Sequence, residues 1–162
     1  MASDSNAHTN LWEDEEFWSS VQDDEEFWAR WSSNIYDRRM VKPMVKPLTA
    51  PWDLAVSDTD VEKLKAGFRS RNQDDKYDWL IEDENGNISI HVIRHFVQKE
   101  VYVLHIAAKS NTDNSASAKI HSITWDGELV SIRDDVKLAK ERVVILARAI
   151  LGCELENAPG AA

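Results

Sequence analysis

The chain has 162 residues, a formal net charge of −10 and a single cysteine. This length allows one domain with extensions and a hydrophobic core that needs no disulfide, and one cysteine fits a reducing compartment, cytoplasmic or nuclear. The acidic balance argues against nucleic-acid binding, which depends on neutralising phosphates. The sequence contains no apolar run of about 18 residues, so we expect no membrane-spanning helix.

An acidic arm rich in tryptophan opens the chain. Residues 13–18 read Glu-Asp-Glu-Glu-Phe-Trp, and residues 23–28 repeat them as Asp-Asp-Glu-Glu-Phe-Trp. Carboxylates near the start and apolar residues at helical spacing predict a helix. Because a short helix is marginal in water unless something packs against it, we expect the arm to dock either on this chain or in a groove of a partner. The side chains expected to dock are Trp18, Trp28, Trp31 and Ile35.

A proline-containing linker is predicted to follow the arm. Residues 41–48 read Val-Lys-Pro-Met-Val-Lys-Pro-Leu. Two prolines at this spacing exclude a regular helix and favour an extended chain. The sequence therefore predicts an arm with its linker at 1–50, an α+β domain at 51–156 and a disordered tail at 157–162.

The clearest pattern in the domain is a hairpin centred on Asn85-Gly86. Both residues tolerate the positive φ angles of a type I′ turn, and the flanking residues alternate between apolar and polar, as half-buried strands do. A shift of one residue would move the apolar face into solvent. The predicted pairs are Ile81 with Ile90, Trp79 with Val92 and Tyr77 with Arg94.

Two helices and further strands complete the predicted domain. A helix with N-cap Ser57 or Asp58 is expected before the hairpin, and a longer one after the last strand. The fold class is therefore α+β: a two-layer sandwich in which an antiparallel meander of four to five strands is flanked by an N-terminal helix and a long C-terminal helix. The later elements are strands at 101–107, 119–125 and 128–132, and a helix from Asp134 to Gly152.

Arg94 is the most unusual polar residue of the predicted sheet. The hairpin register places it on the apolar face, and a turn at Lys99 and Glu100 would set it opposite His105. A buried guanidinium has to be paired or stacked. Two interpretations follow: a structural cation at the rim of the sheet, or a ligand contact in a pocket shared with His105 and Tyr77.

The remaining residues give no positive sign of catalysis. His91 and His95 share one face of a predicted strand, where they would lie about 13 Å apart, too far to share a metal ion. No nucleophile motif or phosphate-binding loop is recognisable. We therefore expect no metal site and no cofactor.

The function predicted first is that of a soluble, non-catalytic interaction module. It would bind a protein partner, or a second copy of itself, through the aromatic arm and one face of the sheet. The face expected to receive the arm includes Leu80, Ile93 and Leu104. The alternative is a small ligand-binding protein or enzyme with a pocket around Arg94.

Overall fold

The computed structural model describes most of the chain from residue 33 onward, and it has an α+β architecture. The strands are β1 (Pro47–Val56), β2 (Tyr77–Glu84), β3 (Asn87–Arg94), β4 (Lys99–Ala107) and β5 (Ala118–Asp126). The helices are α1 (Asp58–Ala66) and α2 (Val136–Leu146). Helix α2 continues into a π-helical turn at Ala147–Leu151, and a 3-10 turn at Arg38–Met40 precedes β1. The described residues are 16, 25, 33–70, 76–85, 87–107, 118–129 and 131–158.

The five strands lie in one antiparallel sheet with the spatial order β1-β5-β4-β3-β2. Strands β2 to β5 form the predicted meander, in which each strand pairs with the next one along the chain. The strand predicted at 128–132 is wrong, because the described residues of that stretch form no strand. The fifth strand is instead β1, which pairs with β5. The predicted boundary between linker and domain, at residues 50 and 51, therefore falls inside a strand. Its prolines, Pro47 and Pro51, are tolerated because an edge strand has one side that needs no ladder partner.

The hairpin of β2 and β3 has the predicted register, including the pairing of Tyr77 with Arg94. The next turn differs from the prediction. Strand β4 already begins at Lys99, so Arg94 faces Lys99, while His105 faces Ser89. The expected pairing of Arg94 with His105 is therefore wrong, because residues 95–98 rather than 99–100 turn the chain.

Local signals set the ends of both helices. Ser57 caps α1, as predicted, and Gly67 ends it with φ 63°. The cap of α2 is Asp135, one residue later than the predicted Asp134. Gly152 adopts the expected left-handed conformation, with φ 74°, after the π-helical turn. Within the described ranges, neither helix combines the length and apolar character needed to cross a membrane.

The hydrophobic core lies between the two helices and one face of the sheet, which we call the helix-side face. The sheet contributes Trp79 and Trp125, both almost fully buried, while Leu64 comes from α1 and Val143 from α2. Aromatic side chains of this size dominate the stabilisation from apolar burial. Leu104 also belongs to this core, so its predicted place on the other face is wrong.

The other face of the sheet, which we call the open face, is largely polar and is partly covered by residues 33–46. We call these residues the strap. Tyr36 and Val41 of the strap pack against Leu80 and Ile93 in a second, smaller hydrophobic cluster. Part of the surface expected to receive the aromatic arm is therefore occupied by the residues that directly follow the arm.

Backbone hydrogen bonds attach the strap to the sheet at both ends. At the β2 edge, Ile81 N donates to Asn34 O at 2.7 Å, and Tyr36 N donates to Ile81 O at 2.9 Å. Near β4, Lys42 N donates to the carbonyl of residue 98, and Glu100 N donates to Lys42 O. The stretch predicted as a linker is therefore held against the sheet over part of its length.

Candidate functional site

The open face contains a histidine clamped between two carboxylates. His91 Nε2 lies 2.8 Å from Glu82 Oε1, and His91 Nδ1 is hydrogen-bonded to Glu100 Oε1. A neutral imidazole has only one N–H, so the ring donates to both carboxylates only when it is protonated. Tyr36 stacks on the same ring, with centroids 3.5 Å apart and planes 7° apart. This arrangement fastens the strap to the sheet.

The electrostatics of the clamp keep Tyr36 neutral. Burial, and then the negative charges of Glu100 and Glu82, raise the pKa of the Tyr36 hydroxyl above its ordinary value. A phenol in this environment remains protonated at physiological pH, since even its ordinary pKa is about 10. Tyr36 therefore contributes an aromatic surface and a neutral hydroxyl rather than a phenolate.

Asp78 is a fully buried carboxylate that organises one end of the sheet. It accepts hydrogen bonds from Ser70 N at 2.7 Å, from His95 Nδ1 at 2.9 Å and from Arg69 Nη1 at 3.1 Å. Burial alone would raise the pKa of Asp78, but the hydrogen bonds from His95 and Ser70 and the charge of Arg69 lower it below its usual value. The carboxylate is therefore ionised and ties the residues that follow α1 to the turn after β3.

The turn between β3 and β4 is held on two sides. His95 N donates to Lys76 O at 2.8 Å, and the side-chain amide of Gln98 donates to His95 O at 2.6 Å. Gln98 itself adopts φ 49°. Between these fixed points the side chains of Phe96 and Val97 project outward, with 71% and 47% of their surface exposed.

Two exposed cationic side chains lie near this turn along the chain or across the hairpin. Lys76 and Arg94 are exposed; Lys76 directly precedes β2, and Arg94 is the last residue of β3. Among the residues that the structure describes, neither Lys76 nor Arg94 forms an ion pair with a carboxylate. We call Lys76, Arg94, Phe96 and Val97 the turn patch.

The three residues of the predicted ligand pocket do not all come together. Tyr77 and Arg94 are cross-strand neighbours, but Arg94 is exposed at the end of β3 rather than buried between apolar side chains. His105 lies on the open face, where its Nε2 is 3.0 Å from Thr124 Oγ1, whereas Tyr77 packs against the core on the helix side. Ligand binding at Arg94 and Tyr77 stays a prediction. His105 lies on the other face of the sheet and cannot line the same pocket.

The environment of His105, another histidine of the open face, disfavours protonation. Its ring lies 5.9 Å from the ring of His121. Burial, followed by the charges of His121 and His91, lowers the pKa of His105. The imidazole is therefore neutral at physiological pH and is suited to hydrogen bonding with the hydroxyls of Thr124 and Ser89.

Of the four residues predicted to dock, only Ile35 lies within the described residues. It is 52% exposed and forms a parallel bridge with Ile81 at the β2 edge. Trp18, Trp28 and Trp31 lie outside the described residues, so their docking stays a prediction. The first residues of the strap therefore present an exposed apolar side chain, Ile35, at the β2 edge.

The described residues offer neither a metal-binding arrangement nor an ionised thiol. No group of three or more histidine, cysteine or acidic side chains in the described ranges is arranged to hold a metal ion. Cys153 is buried, and burial, followed by the charge of Asp60, raises the pKa of its thiol to about 11. Cys153 is therefore a neutral thiol at physiological pH.

Sequence reasoning missed the clamp and the Asp78 cluster. Asp78 alternates with apolar residues in β2, a position that predicts a solvent-facing side chain, and its partner His95 lies 17 residues away. Tyr36 belonged to the arm in the predicted domain organisation, so its stacking on His91 had no local signal. The strap brings Tyr36 to His91, whereas residues 69–70 and the turn after β3 bring the partners of Asp78 together.

Comparisons of the chain with protein-family models, curated proteins and solved structures give no significant match. The functional argument therefore rests on the chemistry and geometry of this chain's own residues.

Proposed function

We propose that the chain is a non-catalytic protein-interaction module that contacts its partner through the aromatic arm and the turn patch. The observation that carries the proposal is the exposure of Phe96 and Val97 in a turn that is fixed by hydrogen bonds. Exposed neighbouring apolar side chains of this size, bordered by polar groups, are typical of protein-binding surfaces. A turn held in one conformation also loses little conformational entropy when a partner binds.

Three of the reactive groups in the described part of the chain, His91, Asp78 and Cys153, are turned toward the protein, which supports a non-catalytic role. Both ring nitrogens of His91 contact carboxylates, and the Asp78 carboxylate is occupied by donors from four residues. Cys153 is buried as a neutral thiol. A catalytic acid, base or nucleophile has to reach a substrate atom within hydrogen-bonding distance, and these groups face the protein instead.

Affinity capture with the full chain tests this proposal. Aromatic hot spots are typically worth about 2 kcal/mol or more, so Phe96→Ser should reduce the amount of captured partner by at least about tenfold. A variant with alanine at Trp18, Trp28 and Trp31 should lose the same partner. The measurement is quantitative mass spectrometry of the retained proteins.

Ile145→Ala is the matched control for this capture. Ile145 is another exposed large apolar residue, with 58% of its surface accessible, but it lies on α2 away from the turn. Its truncation should leave partner capture unchanged. Equal capture by the starting chain and all three variants would contradict the proposed interaction surface.

A further inference from the structure

Three cationic residues lie side by side on adjacent segments of the chain at the base of the turn after β3. Arg94, the last residue of β3, pairs with Lys99, the first residue of β4. Lys99 in turn forms a parallel bridge with Lys42 of the strap. Two backbone hydrogen bonds hold this bridge, from Lys42 N to the carbonyl of residue 98 and from Glu100 N to Lys42 O. We call Arg94, Lys99 and Lys42 the basic row.

The basic row is an unfavourable arrangement of charges for the folded chain. Residues that face each other across a β-ladder have Cβ atoms about 5 Å apart, and like charges in such positions destabilise a sheet. The row contains two such contacts in succession, Arg94 with Lys99 and Lys99 with Lys42. Departures from a local rule of this kind are expected at functional sites.

The described residues compensate only part of this repulsion. Lys99 Nζ lies 3.4 Å from Asp126 Oδ2, but three backbone N–H groups also donate to that carboxylate. Neither Arg94 nor Lys42 forms an ion pair with a carboxylate that the structure describes. The row therefore retains positive charge that an anionic ligand can neutralise.

The basic row and the exposed apolar residues belong to the same turn. Arg94 and Lys99 are the two residues that flank residues 95–98, and Phe96 and Val97 are the exposed side chains of that turn. Arg94 is exposed, while Lys42 and Lys99 are half-buried. A partner that contacts Phe96 and Val97 therefore also approaches the row.

We propose that the basic row binds an acidic segment of a protein partner, whose carboxylates neutralise Arg94, Lys99 and Lys42. The inference rests on the proposed function for the class of partner, and it adds the chemistry that the partner has to provide. Neighbouring strands lie about 4.8 Å apart, so the row is about 10 Å wide. This width suits several carboxylates along a peptide, whereas phosphate sites typically gather backbone N–H groups around a single anion.

The net charge of −10 does not prevent this contact. At physiological ionic strength, exposed charges more than about 8 Å apart are largely screened from each other. The charges within the row therefore dominate the interaction with a short acidic segment. A long polyanion such as a nucleic acid would also have to cover acidic parts of the surface.

Fluorescence anisotropy with the full chain and a fluorescein-labelled hexaglutamate peptide tests the proposal. Arg94→Gln with Lys42→Gln should weaken binding of this probe by about tenfold or more, which corresponds to about 1.4 kcal/mol. The control, Lys65→Gln with Lys137→Gln, removes two exposed cations from α1 and α2 and changes the net charge equally. It should leave the affinity for hexaglutamate unchanged.

Thermal unfolding of the same variants shows whether the row has a structural role instead. Because the row repels itself, Arg94→Gln with Lys42→Gln should unfold at the temperature of the starting chain or above it. Hexaglutamate should raise the unfolding temperature of the starting chain and of the control, since it binds the folded state, but not that of the row variant. A row variant that unfolds at a clearly lower temperature than the control would overturn the inference.

The outcomes separate this inference from the proposed function. Absence of hexaglutamate binding, or equal binding by the row variant and the control, would overturn the inference. Displacement of the probe by inorganic phosphate at constant ionic strength would also overturn it, because the row would then be a phosphate site. These results would leave the effect of Phe96→Ser on partner capture unchanged. Capture that does not depend on Phe96 would contradict the proposed function without altering the affinity of the row for hexaglutamate.

Discussion

At the scale of single residues, Asp78 is the side chain on which the architecture of the turn patch depends. Its carboxylate joins Ser70, which follows α1, to His95, which begins the turn after β3. Arg69 supplies a charge partner with a side chain that is largely buried. Removing an ionised group from such a cluster leaves buried donors without an equivalent acceptor.

The lowered pKa of Asp78 predicts the direction of one pH effect. A carboxyl whose pKa is lower in the folded than in the unfolded state stabilises the fold fully at a pH above its unfolded-state pKa, which is about 3.9 for aspartate. This stabilisation is lost as the pH falls through the folded-state pKa. Unfolding in urea should therefore show stability decreasing below about pH 4. Asp78→Asn should weaken this dependence and cost about 1–3 kcal/mol at pH 7.

Asp134→Asn is the control for this measurement, because Asp134 is exposed and is not the residue that caps α2. It should change the free energy of unfolding by no more than about 0.5 kcal/mol. If Asp78→Asn had the same pH dependence as the starting chain, the acid sensitivity would come from other carboxyls, such as Asp126, whose pKa is also lowered.

At the scale of elements, the end of α1 is determined by a close approach of two backbones. Gly67 has φ 63°, and a Cβ atom at this position would lie 2.5 Å from Trp79 O. Phe68 then forms two backbone hydrogen bonds with Trp79 at the edge of β2. The glycine therefore allows α1 to end directly against the sheet.

Gly152 provides the matched comparison for a substitution at Gly67. It also has a positive φ, 74°, but a Cβ atom added to it would meet no other group within 4 Å. Gly152→Ala should cost about 1–2 kcal/mol, the strain of the left-handed conformation alone. Gly67→Ala should cost clearly more, because backbone atoms also have to move, and thermal unfolding of both variants measures the difference. Equal losses would show that β2 adjusts easily at Trp79.

At the scale of the whole molecule, the strap makes the folded unit longer than the predicted domain. Val41 is buried against Leu80 and Ile93, and Val45 N and Lys46 N donate to the carboxylate of Asp126. These contacts connect residues before β1 to β2, β3 and β5. The stable unit should therefore begin near residue 33 rather than at residue 51.

Two shortened chains test where the folded unit begins. A chain starting at residue 33 should unfold at nearly the same urea concentration as the full chain, apart from any contribution of arm docking. A chain starting at residue 47 should lose several kcal/mol, because it exposes Leu80 and Ile93 and removes donors from Asp126. If both shortened chains were equally stable, the strap would contribute nothing to folding.

The sequence by itself determined the features that depend on neighbouring residues. The register of β2 and β3 follows from Asn85-Gly86 and the alternation around it, because a two-residue turn fixes every later pair. The start of α1 and the end of the C-terminal helix follow similarly from Ser57 and Gly152, whose side chain or missing side chain satisfies a local backbone requirement. These predictions needed no knowledge of distant contacts.

Only the tertiary structure decided which distant segments pair and which polar groups are buried. Thr49 of β1 meets Thr124 of β5 across 75 residues of sequence, so a stretch that reads locally as a proline-containing linker becomes an edge strand. Asp78 and His91 read as solvent-facing residues until residues 69–70, the turn after β3 and the strap cover them. Periodicity describes the chemistry of one strand's two faces, whereas burial depends on what the rest of the chain places over each face.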